Sequence, residues 1–117
     1  MDFAHIIMIG GRALLALLFI SAGINKIVGP RPVLDHMRAE HVPVFFFPGV
    51  IALELAAGGA LLVGRQTMIA AGALSLFCIA TAIVFHRNFA QRVERTQFVK
   101  DIALAGALAF VASAAAL

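Results

Sequence analysis

The chain has 117 residues, of which 62% are hydrophobic and 13% are charged, and its formal net charge is +3. A soluble domain of this size exposes a large share of its surface and needs more charge to cover it. The composition therefore predicts an integral membrane protein. Because the basic residues cluster between apolar segments, we interpret them as topology signals and expect no nucleic-acid partner.

The cysteine and histidine content argues against a metal site. The single cysteine, Cys78, excludes an internal disulfide and any site built from several cysteines. His5, His36 and His41 lack the spacing of metal ligands. The sequence therefore predicts no metal centre.

The first apolar segment covers about residues 6–24. The five residues before it contain no Lys or Arg, and Arg12 interrupts the segment itself, so we expect a retained membrane helix and not a cleaved signal peptide. Gly29, Pro30 and Pro32 end this helix, because proline lacks the donor that a continuing helix needs.

Three further segments have the length of membrane helices. Val44–Val63 would span about 30 Å as a helix, and Gly64 begins a very short connection to Thr67–Phe85, which predicts a tight antiparallel hairpin. The last segment is 98–117. We predict an all-α polytopic membrane protein, a four-helix transmembrane bundle forming a single domain over residues 1–117. Its helices are expected at about 6–26, 44–64, 67–87 and 98–117.

The distribution of Lys and Arg predicts the orientation. Two of them, Arg12 and Arg65, belong to the face that carries the short connection. The two longer loops and their borders hold seven: Lys26, Arg31, Arg38, Arg87, Arg92, Arg95 and Lys100. This difference predicts that the longer loops lie in the cytoplasm and that both termini face the periplasm or the exterior.

Glu54 is the one carboxylate within the second apolar segment. A charge at this depth needs a partner or a proton. Arg12 would lie at a similar height if the first two segments are antiparallel neighbours, so an Arg12–Glu54 ion pair is expected. The alternative is a neutral, protonated Glu54 that carries a proton or donates a hydrogen bond to a quinone carbonyl.

A second polar group is expected at the cytoplasmic edge, where three helix ends lie on one side of the membrane. Its members are Asn25, Lys26, His86, Asn88, Lys100 and Asp101. A histidine among cations and amides suits an anionic ligand or a proton-transfer step. The alternative interpretation is ordinary interfacial capping and snorkelling.

The order of several short motifs resembles the DoxX family along nearly the whole chain. These motifs are the stretch 11–19 leading to 21–26, Pro48-Gly49, Glu54-Leu55, Gly58-Gly59, Gly64, Phe85-His86, and Lys100 entering a helix of small residues. The resemblance implies a four-helix bacterial inner-membrane protein. The family includes DoxD-like subunits of thiosulfate:quinone oxidoreductase and members linked to membrane-associated thiol-oxidative-stress complexes.

The resemblance also implies that the recurrent polar positions of the family are Arg12, Asn25, Lys26, Glu54, His86 and Lys100. Of these, we expect Glu54 and His86 to be catalytic. We expect the others, Arg12, Asn25, Lys26 and Lys100, to bind a ligand such as a quinone head group or a small anion. One departure is Asp101, where the family often has Asn. An acid there would neutralise Lys100 and weaken its role in binding an anion.

Three functions remain open from the sequence. The first is a membrane subunit that supports quinone-linked or thiol and sulfur redox chemistry with partner proteins, with quinone as the implied cofactor. One thiol does not favour autonomous electron transfer, so any enzyme would be an oxidoreductase subunit. The second is a non-enzymatic scaffold whose basic loops, including Arg92 and Arg95, recruit a soluble oxidoreductase. The third is a small-molecule transporter, for which four short helices would have to form a homo-oligomer.

Overall fold

A computed structural model of the protein describes residues 2–86 and 91–116, and every regular element in those ranges is helical. The elements are α1 (Phe3–Val28), α2 (Arg31–Ala39), a 3-10 turn (Val44–Phe46), α3 (Phe47–Val63), α4 (Thr67–Phe85) and α5 (Arg92–Ala116). Four spans are long and apolar enough to cross a membrane, namely α1, the 3-10 turn with α3, α4, and most of α5. The predicted all-α fold with four transmembrane helices is therefore confirmed. Position 87 of the third predicted helix and position 117 of the fourth lie outside the described residues.

α1 begins three residues earlier than the sequence predicted. The Asp2 carboxylate accepts a hydrogen bond from the backbone N–H of His5 at 2.9 Å, which caps the first turn. The helix ends at Val28, and Gly29 follows as its C-cap. Pro30 then prevents the helix from continuing.

α2 is a short helix that the sequence analysis did not predict. Pro30 and Pro32 were interpreted only as helix terminators, but Pro32 lies in the first turn of α2, where its missing N–H costs nothing. The helix is amphipathic, with Met37 only 2% exposed on one face and Arg38 exposed on the other.

The spanning helices form two tightly packed pairs, α1 with α3 and α4 with α5. The α3–α4 hairpin joins the pairs through a turn in which Gly64 has φ +78, a left-handed conformation that glycine adopts at little cost. The predicted antiparallel hairpin is therefore present. Side chains from all four helices fill the core, among them Ala16, Phe19, Leu61, Leu74 and Leu108.

α5 begins at Arg92, six residues before the predicted start of the last helix. The polar stretch before residue 98 was interpreted as a loop, yet it contains no Gly or Pro and several residues of good helix propensity. Within the bilayer, Ser75 Oγ of α4 donates a hydrogen bond to the Ala105 carbonyl of α5 at 2.8 Å. This bond links the two helices where no water competes for it.

Candidate functional site

Glu54 is paired with Lys26 and not with Arg12. Lys26 Nζ lies 2.6 Å from Glu54 Oε1, and the two side chains are 16% and 3% exposed. The predicted Arg12–Glu54 ion pair is therefore wrong. The buried carboxylate does have a cationic partner, as predicted, but this partner lies near the other end of α1.

The register of α1 against α3 explains the correction. A Cβ added to Gly23 would lie 2.8 Å from Leu55 Cδ2 and 3.5 Å from Glu54 Cβ, so this part of α3 lies directly against Gly23. Lys26 is three residues further along α1, about one helical turn. Arg12 is eleven residues away in the other direction, about 16 Å along the helix. The prediction aligned the ends of the two helices, but α1 has 26 residues and α3 has 17.

The other end of this register places Arg12 at the α3–α4 turn. A Cβ on Gly64 would lie 2.8 Å from Arg12 Nη2. The guanidinium therefore lies against the C-terminal end of α3, where helix carbonyls favour a cation. Arg12 belongs to the turn end of the bundle and takes no part in the Glu54 site.

Glu54 keeps some unused hydrogen-bonding capacity. Within the described residues, its buried Oε1 contacts the ammonium of Lys26 but accepts no hydrogen bond of good geometry. A carboxylate oxygen in such a position has room for a further donor.

His86 lies between two carboxylates of α5. Its Nδ1 is 3.3 Å from Glu94 Oε2, and its Nε2 is 3.5 Å from Asp101 Oδ2. Glu94 and Asp101 are seven residues apart, about two helical turns, and so share one face of α5. A histidine ring donates from one nitrogen or from both according to its protonation, so each ring nitrogen can donate a hydrogen bond to the carboxylate beside it.

His36 of α2 completes the polar end of the bundle. Its ring makes an edge contact with Phe85 at a centroid distance of 4.9 Å and lies 5.9 Å from the ring of His86. α2 therefore lies over the C-terminal end of α4. It brings a second histidine to the cluster.

A cavity of about 490 Å³ lies beneath α2, between α1, α3, α4 and α5. Its volume falls within the range of about 300–1,000 Å³ that is usual for small-molecule sites. Most of the lining is apolar, from residues such as Met37 and Phe77. The charged or imidazole side chains that line it are Lys26, His36, His86 and Asp101.

The structure brings together some of the predicted site residues and separates others. Lys26 and His86 line the cavity, and Glu54 lies behind Lys26. Asn25 and Lys100 are exposed and do not line it, while Asn88 lies outside the described residues. The Asp101 carboxylate contacts His86, and the charge of the neighbouring Lys100, which Asp101 was expected to neutralise, also acts on it.

Two residues of the site were missed. From the sequence, His36 was weighed only as a metal ligand, and no role was predicted for Glu94. Each leaves a signal in the sequence. Glu94 and Asp101 have the spacing of one helix face, and His36 precedes Met37 in an amphipathic pattern that a search for short interfacial helices would find.

Comparison with known proteins supports this framework. The DoxX family model matches residues 7–87, which cover most of α1 and all of α2, α3 and α4, and include Lys26, Glu54 and His86. A relative from Escherichia coli (strain K12), named inner membrane protein YqjF, is 39% identical over 101 residues, 86% of this chain and 78% of the relative. No solved structure matches the chain. Since the family model covers more than half of the sequence and the relative covers most of it, the chain belongs to the DoxX family.

Proposed function

We propose that this protein is a single-domain, multi-pass protein of the bacterial inner membrane whose cavity beneath α2 binds the head group of a quinone. In this proposal it acts as a membrane subunit in redox chemistry carried out with a partner protein. The observation that carries the proposal is the cavity of about 490 Å³, apolar over most of its lining and bordered by Lys26, His36, His86 and Asp101. A flat, lipid-soluble ring with polar oxygens fits such a lining.

The charges around the cavity favour a neutral ligand. The positive charge of Lys26 is matched by Glu54 at 2.6 Å, and the His86 ring is flanked by Glu94 and Asp101. A small anion would have to compete with these carboxylates for Lys26 and for His86. A neutral head group requires only hydrogen bonds, which ammonium and imidazole groups supply.

The residues of the chain have distinct roles in this proposal. Lys26 Nζ, held by Glu54, donates a hydrogen bond to a head-group oxygen. His86 holds or moves a proton at its ring nitrogens, with Glu94 and Asp101 as its partners. A quinone, when bound, supplies the capacity to accept electrons together with protons. Cys78 is buried, so we propose that the electrons come from a soluble oxidoreductase.

The direct test is quinone binding to the purified protein in nanodiscs. A short-chain ubiquinone analogue is titrated, and the bound fraction is measured after separation from free quinone. The variant His86→Gln is expected to weaken binding about tenfold, because it removes the imidazole from the cavity wall. The matched control is His5→Gln, an exposed histidine at the other end of α1. Binding no stronger than in empty nanodiscs would overturn the proposal.

The variant Glu54→Gln tests whether Glu54 only stabilises the fold or also contributes to quinone binding. The substitution keeps the size of the side chain and removes its charge. If quinone binding falls while the protein still assembles, Glu54 contributes to the ligand site through Lys26. Normal binding together with poor assembly would reduce Glu54 to a structural clamp.

A scaffold is the second candidate, and one observation favours it. Arg92 and Arg95 are exposed at the start of α5, and with Thr96 and Val99 they line an open cleft outside the quinone cavity. The charge-reversal pair Arg92→Glu and Arg95→Glu is expected to abolish co-purification of a soluble oxidoreductase. Co-purification that persists in this variant would exclude this surface as the docking site.

The proposed orientation places the cavity end in the cytoplasm and both termini outside. The imbalance of Lys and Arg supports it. The test introduces a cysteine at Asp35 in α2, or at Gln66 in the α3–α4 turn, in a Cys78→Ala background. A membrane-impermeant maleimide applied to intact spheroplasts should label the Gln66 position and leave the Asp35 position unlabelled. The reverse pattern would invert the topology.

A further inference from the structure

A second cavity lies at the opposite end of the bundle, between the N-terminal half of α1 and the C-terminal half of α5. Its volume is about 840 Å³, and side chains such as Leu15, Phe110 and Val111 give it an apolar lining. The groove is open because α1 packs on α3 and α5 packs on α4. A Cβ added to Gly106 would meet nothing within 4 Å. An open apolar groove between two spanning helices faces the lipid.

Arg12 is the charged side chain in this lining. Within residues 2–86 and 91–116, no carboxylate lies within ion-pair distance of its guanidinium. Asp2, the carboxylate at the start of α1, caps that helix by accepting a hydrogen bond from His5. A half-buried guanidinium in a membrane helix is costly without a counter-charge.

The height of Arg12 fits the level of lipid head groups. Arg12 lies 16 residues from the end of α1 at Val28, about 24 Å along the helix. The hydrocarbon core is about 30 Å thick, so a residue at this distance from the cavity end approaches the opposite boundary. Its position beside the α3–α4 turn at Gly64 gives the same level. Phosphate groups lie just beyond that boundary.

We propose that the α1–α5 groove binds one anionic phospholipid of the bilayer. The lipid phosphate pairs with the Arg12 guanidinium, whose planar array of donors matches phosphate oxygens. The acyl chains lie along Leu15, Gly106 and Phe110. The lipid supplies both the counter-charge that Arg12 lacks and the apolar cover that the groove lacks. This site is separate from the quinone cavity and does not depend on it.

The test is native mass spectrometry of the purified protein in mild detergent, titrated with phosphatidylglycerol or phosphatidylcholine of identical acyl chains. The wild type is expected to bind one phosphatidylglycerol per chain, about tenfold tighter than phosphatidylcholine. Arg12→Gln should abolish this preference. Arg12→Lys should keep part of it, because a point charge attracts phosphate without the paired donors. The matched control is Arg65→Gln, an exposed arginine of the adjacent turn that does not line the groove.

A second variant tests the groove without changing charge. Gly106→Phe places a ring in open space and should weaken the retention of both lipids, while circular dichroism shows unchanged helicity. The proposal is overturned if Arg12→Gln keeps the wild-type preference or if Arg65→Gln loses it equally. It is also overturned if Gly106→Phe retains lipid normally, or if the wild type is a dimer whose α1–α5 faces cross-link to each other and exclude lipid.

Discussion

The two ends of the bundle solve the problem of a charge in the membrane in different ways. At the cavity end, Lys26 pairs with Glu54, and His86 lies between Glu94 and Asp101, so each of these groups has a partner within the chain. At the turn end, Arg12 lies beside Gly64 at the mouth of an apolar groove and pairs with no carboxylate of the described chain.

The difference shows that the free-energy cost of leaving a charge unpaired decides whether the charge stabilises the fold or stays available to a ligand. A charge buried deep inside the bundle, such as Glu54 at 3% exposure, must be paired before any ligand arrives, because the unpaired state is too costly to populate. A half-buried charge at the mouth of a groove is stabilised by water or by lipid head groups, so it can remain without a partner from the chain. The pair deep in the bundle therefore supports the fold, and the arginine at the groove is available to a lipid.

The family match covers only part of the cavity site. Lys26, Glu54 and His86 fall within the matched residues 7–87. Glu94 and Asp101, the partners of His86, lie on α5 beyond the match. The matched region therefore supplies the deep ion pair and the histidine, and the last helix of this chain supplies the carboxylates around that histidine.

The largest expected effect is at the deep pair. Lys26→Met leaves the Glu54 carboxylate buried without its cation and should cost about 3–5 kcal/mol of stability, whereas Arg12→Met at the boundary should cost about 1 kcal/mol or less. Stability is measured by circular dichroism as sodium dodecyl sulfate replaces a mild detergent. The double variant Lys26→Met, Glu54→Leu should recover most of the loss. Equal losses for Lys26→Met and Arg12→Met would remove the contrast between the two ends.

The next largest expected loss of stability is at the packed α1–α3 interface, and it is compared with a substitution in the open α1–α5 groove. Gly23→Val forces a larger side chain against Leu55, whose Cδ2 would lie 2.8 Å from the new Cβ, and should cost about 1–3 kcal/mol. Gly106→Val in the groove meets nothing within 4 Å and is the matched control. The same detergent titration measures both variants. A Gly23→Val protein as stable as Gly106→Val would show that α1 and α3 are not in the described register.

A smaller effect is expected at the turn itself. Gly64 has φ +78, so Gly64→Ala forces an alanine into a left-handed conformation at a cost of about 1–2 kcal/mol. The new methyl group also displaces the Arg12 guanidinium. Gly29→Ala is the control, because Gly29 has φ −134 and the nearest atom to its added Cβ is 3.8 Å away. Midpoints of thermal unfolding in detergent should fall for Gly64→Ala only.

The smallest expected loss of stability concerns the hydrogen bond between α4 and α5. These two helices hold the His86 cluster. Ser75→Ala removes the 2.8 Å hydrogen bond to the Ala105 carbonyl and should cost about 0.6 kcal/mol, the average for such bonds between membrane helices. Ser113→Ala, at an exposed position of α5, should cost nothing measurable. A loss of stability in both variants, or in neither, would show that this bond does not hold the two helices together.

The sequence by itself determined the class of protein and its four spanning helices. Hydropathy and turn residues located the four spanning helices and the α3–α4 hairpin, because both are local properties of the chain. The need of Glu54 for a cation could also be predicted from its apolar neighbours in the sequence, because burying an unpaired carboxylate is costly whichever residue pairs with it. The short helix α2 was missed because Pro30 and Pro32 are as compatible with the end of one helix as with the start of the next.

Only the tertiary structure decided which charges meet. Glu54 pairs with Lys26 because Gly23 lets α3 approach α1 at that level, and no local pattern encodes the register between two helices. The place of His36 over the cavity and that of Asp101 at His86 depend on how α2 and α5 pack against α4. Helix formation follows from the residues within a few turns, whereas a site follows from the heights and rotations at which separate helices pack.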